Sequence, residues 1–283
     1  MNVRFLLSNQ HSGGDFLKTF IESRFPSVIC SGEVLAEPVA FARQLPALSD
    51  HPELPHFWLW YELEAATRSI SVSPDRRIEA FEAYLLKLGA LARPKDPVID
   101  LKYNGIRSLS GYADTEYDSN DFATFVADRQ IPLLHLIQRN TLQVILAQKR
   151  AHQAALWPHQ DRSTNEPLPR IRLSPPEVLS EIRYLTSLTQ DYQKRFNSYP
   201  GYEEVNYEDL AREQDHPEIG VNLHTLVHFL ERKAAAPSVT TLPFKKATQE
   251  DPSDAVENWG EIVRVLEATE YEWMVQNPLL AAA

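Results

Sequence analysis

Arg4-Phe5-Leu6-Leu7-Ser8-Asn9-Gln10-His11-Ser12-Gly13-Gly14-Asp15-Phe16-Leu17 is the stretch that decides the fold. A short apolar run passes through small and polar residues into a segment with apolar residues at 16, 17, 20, 21 and 25. That order predicts a buried strand over Val3–Leu7, a tight loop, and an amphipathic helix over Asp15–Phe25. A strand–loop–helix junction aims backbone N–H groups and a helix N-terminus at one point, which favours an anion there. The loop is not that of an ATPase, because no G-x-x-x-x-G-K-[ST] occurs in the chain. Asp15 has a second reading as an ordinary N-cap, which would occupy the N–H groups that an anion needs.

Outward from this junction, strands and helices alternate. Val28–Cys30 reads as a second short strand, ending in Ser31-Gly32-Glu33. Pro52–Ile70, with Phe57-Trp58-Leu59-Trp60-Tyr61, reads as helical. Its aromatic run fits either a core or a surface that stacks on a sugar. Ser73-Pro74-Asp75 signals a helix start, and the helix runs to about Leu91. Val98–Tyr103 is a strand carrying Lys102. Pro132–Gln138 is a strand that leads through Arg139-Asn140 into a helix over Thr141–Leu156. Pro158–Pro169 is polar and proline-containing, so it reads as a loop. A boundary inside the chain, near 158–172, is placed there, with the whole taken as one domain. Ser174-Pro175-Pro176-Glu177 caps a helix reaching about Phe196. A short strand at Glu204–Asn206 and helices around Tyr207–Arg212, Leu223–Lys233 and Ala255–Leu266 complete the chain. This alternation predicts an α/β fold, a central parallel sheet flanked by helices with a helical C-terminal part. Ligands of such sheets bind beyond the carboxyl ends of the strands. The Ser8–Gly14 loop, Lys102 and Arg139 all lie near predicted strand ends.

Composition narrows the function classes. The chain has 283 residues, 43% hydrophobic and 24% charged, as expected of a globular protein. No apolar run approaches the ~20 residues that span a bilayer, and the start lacks the pattern of a signal peptide. One cysteine, Cys30, leaves no internal disulfide and suits a reducing compartment, so a cytoplasmic location is expected. The net charge of −11 argues against nucleic acid or an anionic membrane as partner. A small anion needs only a few donors in one pocket and stays allowed. His224 and His228 share a helix face, but no H-E-x-x-H accompanies them and no metal is expected. Oligomeric state stays open, a homodimer among the options.

Several segments resemble bacterial carbohydrate sulfotransferases of the trehalose and nodulation-factor kind. Gln10-His11-Ser12-Gly13-Gly14-Asp15 is similar to their Q-R-S-G-S-T loop. Arg150-Ala151-His152-Gln153-Ala154-Ala155-Leu156-Trp157 is similar to their R-A-x-Q-[TS]-x-x-W. Tyr207-Glu208-Asp209-Leu210 resembles Y-E-D-L, and Phe244-Lys245-Lys246 resembles a late basic loop. Asn258-Trp259-Gly260-Glu261, Leu266 and Thr269-Glu270-Tyr271-Glu272 resemble the closing N-W-x-E-x-x-x-x-L-x-x-T-x-Y-E. The resemblance implies a P-loop-like fold. It also implies transfer of a sulfuryl group from 3′-phosphoadenosine 5′-phosphosulfate (PAPS) to a hydroxyl of a saccharide or glycolipid, without a metal.

Carried over by position, Gln10, His11, Ser12, Gly13, Gly14 and Asp15 would wrap the 5′-phosphosulfate. His11 stands where the family has a cation, and Gly14 and Asp15 replace a hydroxyl pair. Lys18, one turn into the helix, is a candidate replacement cation. Arg139 would grip the 3′-phosphate. Ala147 takes the place of its partner serine, a lost hydrogen bond worth ~1 kcal/mol. Lys245 and Lys246 would close over the nucleotide, or form a solvated pair. Glu33 or Glu37 would be the general base, and Lys102 would stabilise the transferring group. The alternative is a sulfotransferase fold that has lost catalysis and serves as a binding or scaffold protein.

Overall fold

The computed structural model describes residues 3–36, 46–68, 76–109, 120–156, 170–215, 221–230 and 251–276. In chain order the elements are β1 (Arg4–Ser8), α1 (Gly14–Arg24), β2 (Val28–Glu33), β3 (Pro46–Leu48), β4 (His51–Pro55), α2 (Phe57–Arg68), α3 (Arg77–Leu91), β5 (Asp96–Lys102), α4 (Tyr103–Leu109), α5 (Asn120–Asp128), β6 (Leu133–Ile137), α6 (Thr141–Leu156), α7 (Pro175–Phe196), β7 (Tyr202–Asn206), α8 (Tyr207–Asp215), α9 (Val221–Leu230), α10 (Pro252–Ala255), α11 (Trp259–Leu266) and α12 (Trp273–Gln276). The described residues fall into two compact units. One contains those within 1–137, 193–205 and 224–237, and the other those within 138–192, 206–223 and 238–283.

The first unit is built on a parallel sheet of order β2-β5-β1-β6-β7. The expected α/β architecture is therefore present. Phe5, Leu6 and Leu7 of β1 are fully buried, as are Leu133, Leu134 and Leu136 of β6. Continuous apolar strands of this kind need cover on both faces, which a parallel sheet with flanking helices supplies. Phe5 stacks on Phe122 at 5.9 Å and faces Phe81 at 6.3 Å. Phe57 and Tyr61 join that aromatic core through Phe81 and Tyr84. The aromatic run of α2 is thus mainly a core feature.

Parallel register assigns the sheet faces. Ser8 lies level with Lys102 and with Leu136, and Leu6 with Asp100. Alternation then puts Ser8, Asp100 and Lys102 on one face, and Leu7, Leu101 and His135 on the other. β1 sits between β5 and β6, so the chain leaves it toward β2 and later returns past it from β5 to β6. The carboxyl end of β1 is therefore at a switch of direction, where sheets of this class take their ligands.

The second unit has its own core, in which Val144 and Ile145 of α6 join Ile182 of α7, Val256, Ile262 of α11 and Met274 of α12. Among the described residues no helix is long and apolar enough to cross a membrane.

Three local expectations need correction. The segment 52–70 is not one helix: His51–Pro55 forms an antiparallel pair with Pro46–Leu48, and the helix begins at Phe57. Pro52 and Pro55 hold their own and the preceding residues in extended backbone. Ala255–Leu266 is also broken, because extended Val256 bridges to Ile171 and Asn258 donates to the Leu173 carbonyl at 2.8 Å. The expected β5 ends at Lys102, and Tyr103 opens α4 instead. The loop over 158–169 lies outside the described residues.

Gly105 of α4 sits tight against Leu35. A Cβ built there would stand 2.7 Å from Leu35 Cβ and 2.9 Å from its carbonyl oxygen. Backbone cannot yield as a side-chain tip can, so Gly105→Ala is expected to cost about 1–3 kcal/mol, read as a lower urea midpoint.

Candidate functional site

The loop after β1 turns sharply. His11 and Gly13 both have positive φ, 57° and 82°, and Gly13 is the N-cap of α1. The Ser12 hydroxyl donates to the Asn9 carbonyl at 2.6 Å, and Gln10 N–H donates to Asn9 Oδ1 at 2.8 Å. These bonds hold the loop against the strand end and leave Ser12 buried. No side chain caps the helix. The reading of Asp15 as N-cap is therefore corrected. Asp15 sits one residue into the helix, and its carboxylate pairs with Lys18 at 2.9 Å. The glycine turn does the capping residue's geometric work, so the carboxylate is left to the cation one turn on.

Beneath the loop lies a buried ionic cluster centred on Asp100, 1% exposed. One carboxylate oxygen is 2.8 Å from Lys18 Nζ, and the other is 3.0 Å from Lys102 Nζ. Lys102 also donates to the Ser8 hydroxyl at 2.8 Å. Burial works to lower the Lys18 pKa, but pairing with Asp100 and Asp15 overcomes it and holds the ammonium well above its ordinary value. Gly14 makes this packing possible: a Cβ there would stand 2.7 Å from Lys102 Nζ. A lysine ammonium thus lies against the first turn of α1, at the positive end of the helix dipole. Such a neighbour repels the dipole, and negative charge close by offsets both, as the Asp100 carboxylate does here, with one oxygen 3.9 Å from the same point.

Glu33 completes the cluster. A bulge between Cys30 and Glu33 brings Glu33 level with Asp100, and the Asp100 N–H donates to the Ser31 hydroxyl at 2.8 Å. Burial raises the Glu33 pKa, Asp100 adds to the rise, and Lys102 and Lys18 oppose it. A carboxylate so placed is a better proton acceptor than an exposed one. His11, at the rim, has its pKa lowered by desolvation and then by the Lys102 charge. It is a neutral hydrogen-bonding group at pH 7, not the cation that its position suggests.

Arg139 belongs to the second unit, as do the acids around it. Its guanidinium is 2.8 Å from Asp209 Oδ1 and 3.7 Å from Glu208 Oε2, and Arg212 also pairs with Asp209. Buried Glu208 accepts the Asn140 N–H at 2.9 Å, so Tyr207-Glu208-Asp209-Leu210 latches the segment that carries Arg139. Ala147 is exposed on α6. Glu37, Lys245 and Lys246 lie outside the described residues.

The residues missed by sequence reasoning are Asp100, His135, Tyr103 and Tyr202. Asp100 and His135 had a legible signal, each being a titratable residue flanked by apolar neighbours in a strand. Among the described residues no group of three or more His, Cys, Asp or Glu could hold a metal ion. His228 instead pairs with Glu203 at 2.6 Å. No protein-family model matches the chain, and no curated protein matches it.

Proposed function

We propose that the cradle at the start of α1 binds the 5′-phosphosulfate of PAPS and that the protein transfers its sulfuryl group to a saccharide or glycolipid hydroxyl. The observation that supports this most is the buried Lys102 ammonium against an uncapped helix N-terminus, beside the Glu33 carboxylate. The sulfotransferase-like segments supply the identity of the donor. In this reading Glu33 takes the proton of the acceptor hydroxyl as its oxygen bonds to sulfur. The bond from sulfur to the bridging oxygen breaks, and the charge left on the phosphate falls to Lys102 and the N–H groups of α1. The role of Arg139 at the 3′-phosphate rests on the resemblance alone.

Titration calorimetry with 3′,5′-adenosine bisphosphate tests the reading. Micromolar binding is expected, weakened about 10–100-fold in Lys102→Met, the range of one lost charge-assisted hydrogen bond. Arg139→Ala is expected to weaken it similarly, and unchanged affinity removes that residue from the site. Absence of binding to the folded protein at millimolar ligand overturns the reading.

That negative result would favour the second reading, a non-catalytic binding or scaffold protein. One observation speaks for it: Lys18, Lys102 and Arg139 each already have a carboxylate partner.

A further inference from the structure

The sheet face opposite the cradle carries a second polar chain. His135 is fully buried in β6. Its Nε2 meets the Tyr103 hydroxyl in a short contact, and its Nδ1 is 2.7 Å from the Tyr202 hydroxyl. That hydroxyl donates to Glu204 Oε1 at 2.7 Å, and the other Glu204 oxygen accepts from Gln193 Nε2 at 3.0 Å. Glu203, alternating to the other side of β7, pairs with His228.

Donor and acceptor counting leaves one arrangement. A carboxylate only accepts, so Tyr202 gives its single hydrogen to Glu204 and must accept from His135 Nδ1–H. A neutral imidazole has one N–H, so Nε2 is an acceptor and Tyr103 donates to it. Burial lowers the His135 pKa to about 3, which keeps the ring neutral.

We infer that Tyr103–His135–Tyr202–Glu204 is a one-way hydrogen-bond chain whose direction is set by the negative charge at Glu204. Replacing that charge by a donor reverses it, moving the ring proton from Nδ1 to Nε2 and turning the Tyr103 hydroxyl from donor to acceptor.

The far end of the chain is well placed to matter. Tyr103 directly follows Lys102 and opens α4, and Gly105 of that helix bears on Leu35, two residues past Glu33. An exposed acid on β7 is thereby linked to the junction that carries Lys102 and bears on the segment after Glu33, whatever the cradle binds.

The test is the tautomer of His135, read from long-range proton–nitrogen correlations of the full-length labelled protein and assigned by the signal lost in His135→Gln. The expected result is Nδ1 protonated and Nε2 bare in the unaltered protein. Glu204→Lys, a donor-only side chain, is expected to move the proton to Nε2. Tyr202→Phe, which removes the acceptor at Nδ1, is expected to do the same and serves if the lysine variant does not fold. An unaltered protein protonated at Nε2, or a folded variant that keeps the proton on Nδ1, overturns the inference.

Discussion

Replacing Asp100 with alanine lowers the stability of the first unit by about 3–5 kcal/mol, the cost of removing one partner from a buried ion pair. Asp100 lies between two ammonium groups, 2.8 Å from Lys18 Nζ and 3.0 Å from Lys102 Nζ. Without it the nearest partner of Lys102 is the neutral Ser8 hydroxyl and that of Lys18 is Asp15, whose side chain is 97% exposed, with the charge of Glu33 acting on both from further off. Two positive charges then face each other across a site shielded from water, where their repulsion is weakly screened. Urea denaturation followed by far-UV circular dichroism measures the loss. The cause is separated from simple cavity formation by a triple variant, Asp100→Leu with Lys18→Met and Lys102→Met. Apolar replacement of a whole buried ionic group is neutral or stabilising in comparable cases, so the triple variant is expected to be at least as stable as the unaltered protein. A triple variant as unstable as Asp100→Ala would assign the loss to packing.

The first unit loses stability as pH falls from 8 to 5, and His135 supplies about 2 kcal/mol of that loss. The sign follows from burial, which lowers the His135 pKa in the fold to about 3 against 6.5 when unfolded. Between these values the unfolded chain binds the extra proton, so stability is complete above about pH 6.5 and declines as pH drops toward 3. At pH 5 the difference from 6.5 is about 1.5 pKa units, hence the figure of about 2 kcal/mol. His135→Gln keeps a donor and an acceptor at the same place without a titrating ring. Denaturation midpoints at pH 5 and pH 8 for both proteins give the test. The glutamine variant is expected to lose about 2 kcal/mol less between the two pH values, carboxylate contributions being common to both. Equal losses would mean that His135 does not titrate on unfolding.

Much of the scaffold was legible before any coordinates. Phe5–Leu7 and Leu133–Leu136 are apolar without alternation, which only a strand covered on both faces tolerates. The glycine turn at Gly13 and the periodic apolar positions after it announced α1. One illegible part is local: Pro46–Leu48 pairs with His51–Pro55 across Ser49-Asp50, a two-residue turn without the glycine that usually signals a hairpin. Another has a long-range cause. Val256 leaves the helical path because Ile171 offers it a bridge 85 residues away in sequence. Asp15 looked like a cap because aspartate at a helix start usually is one, and only the position of Lys18 showed where its carboxylate goes.

The same division holds for the candidate site. By itself the sequence determined the strand–loop–helix junction, the small residues of its loop, and the presence of Lys102 at a strand end, because these depend on local periodicity and turn chemistry. Only the tertiary structure decided that Lys102 and Lys18 share Asp100, that Glu33 advances by a bulge to stand level with it, that Arg139 is held by Asp209, and that His135 joins two tyrosines on the opposite sheet face. The reason is that charge pairing and desolvation act through space between residues distant in the chain, and strand order and register set those distances.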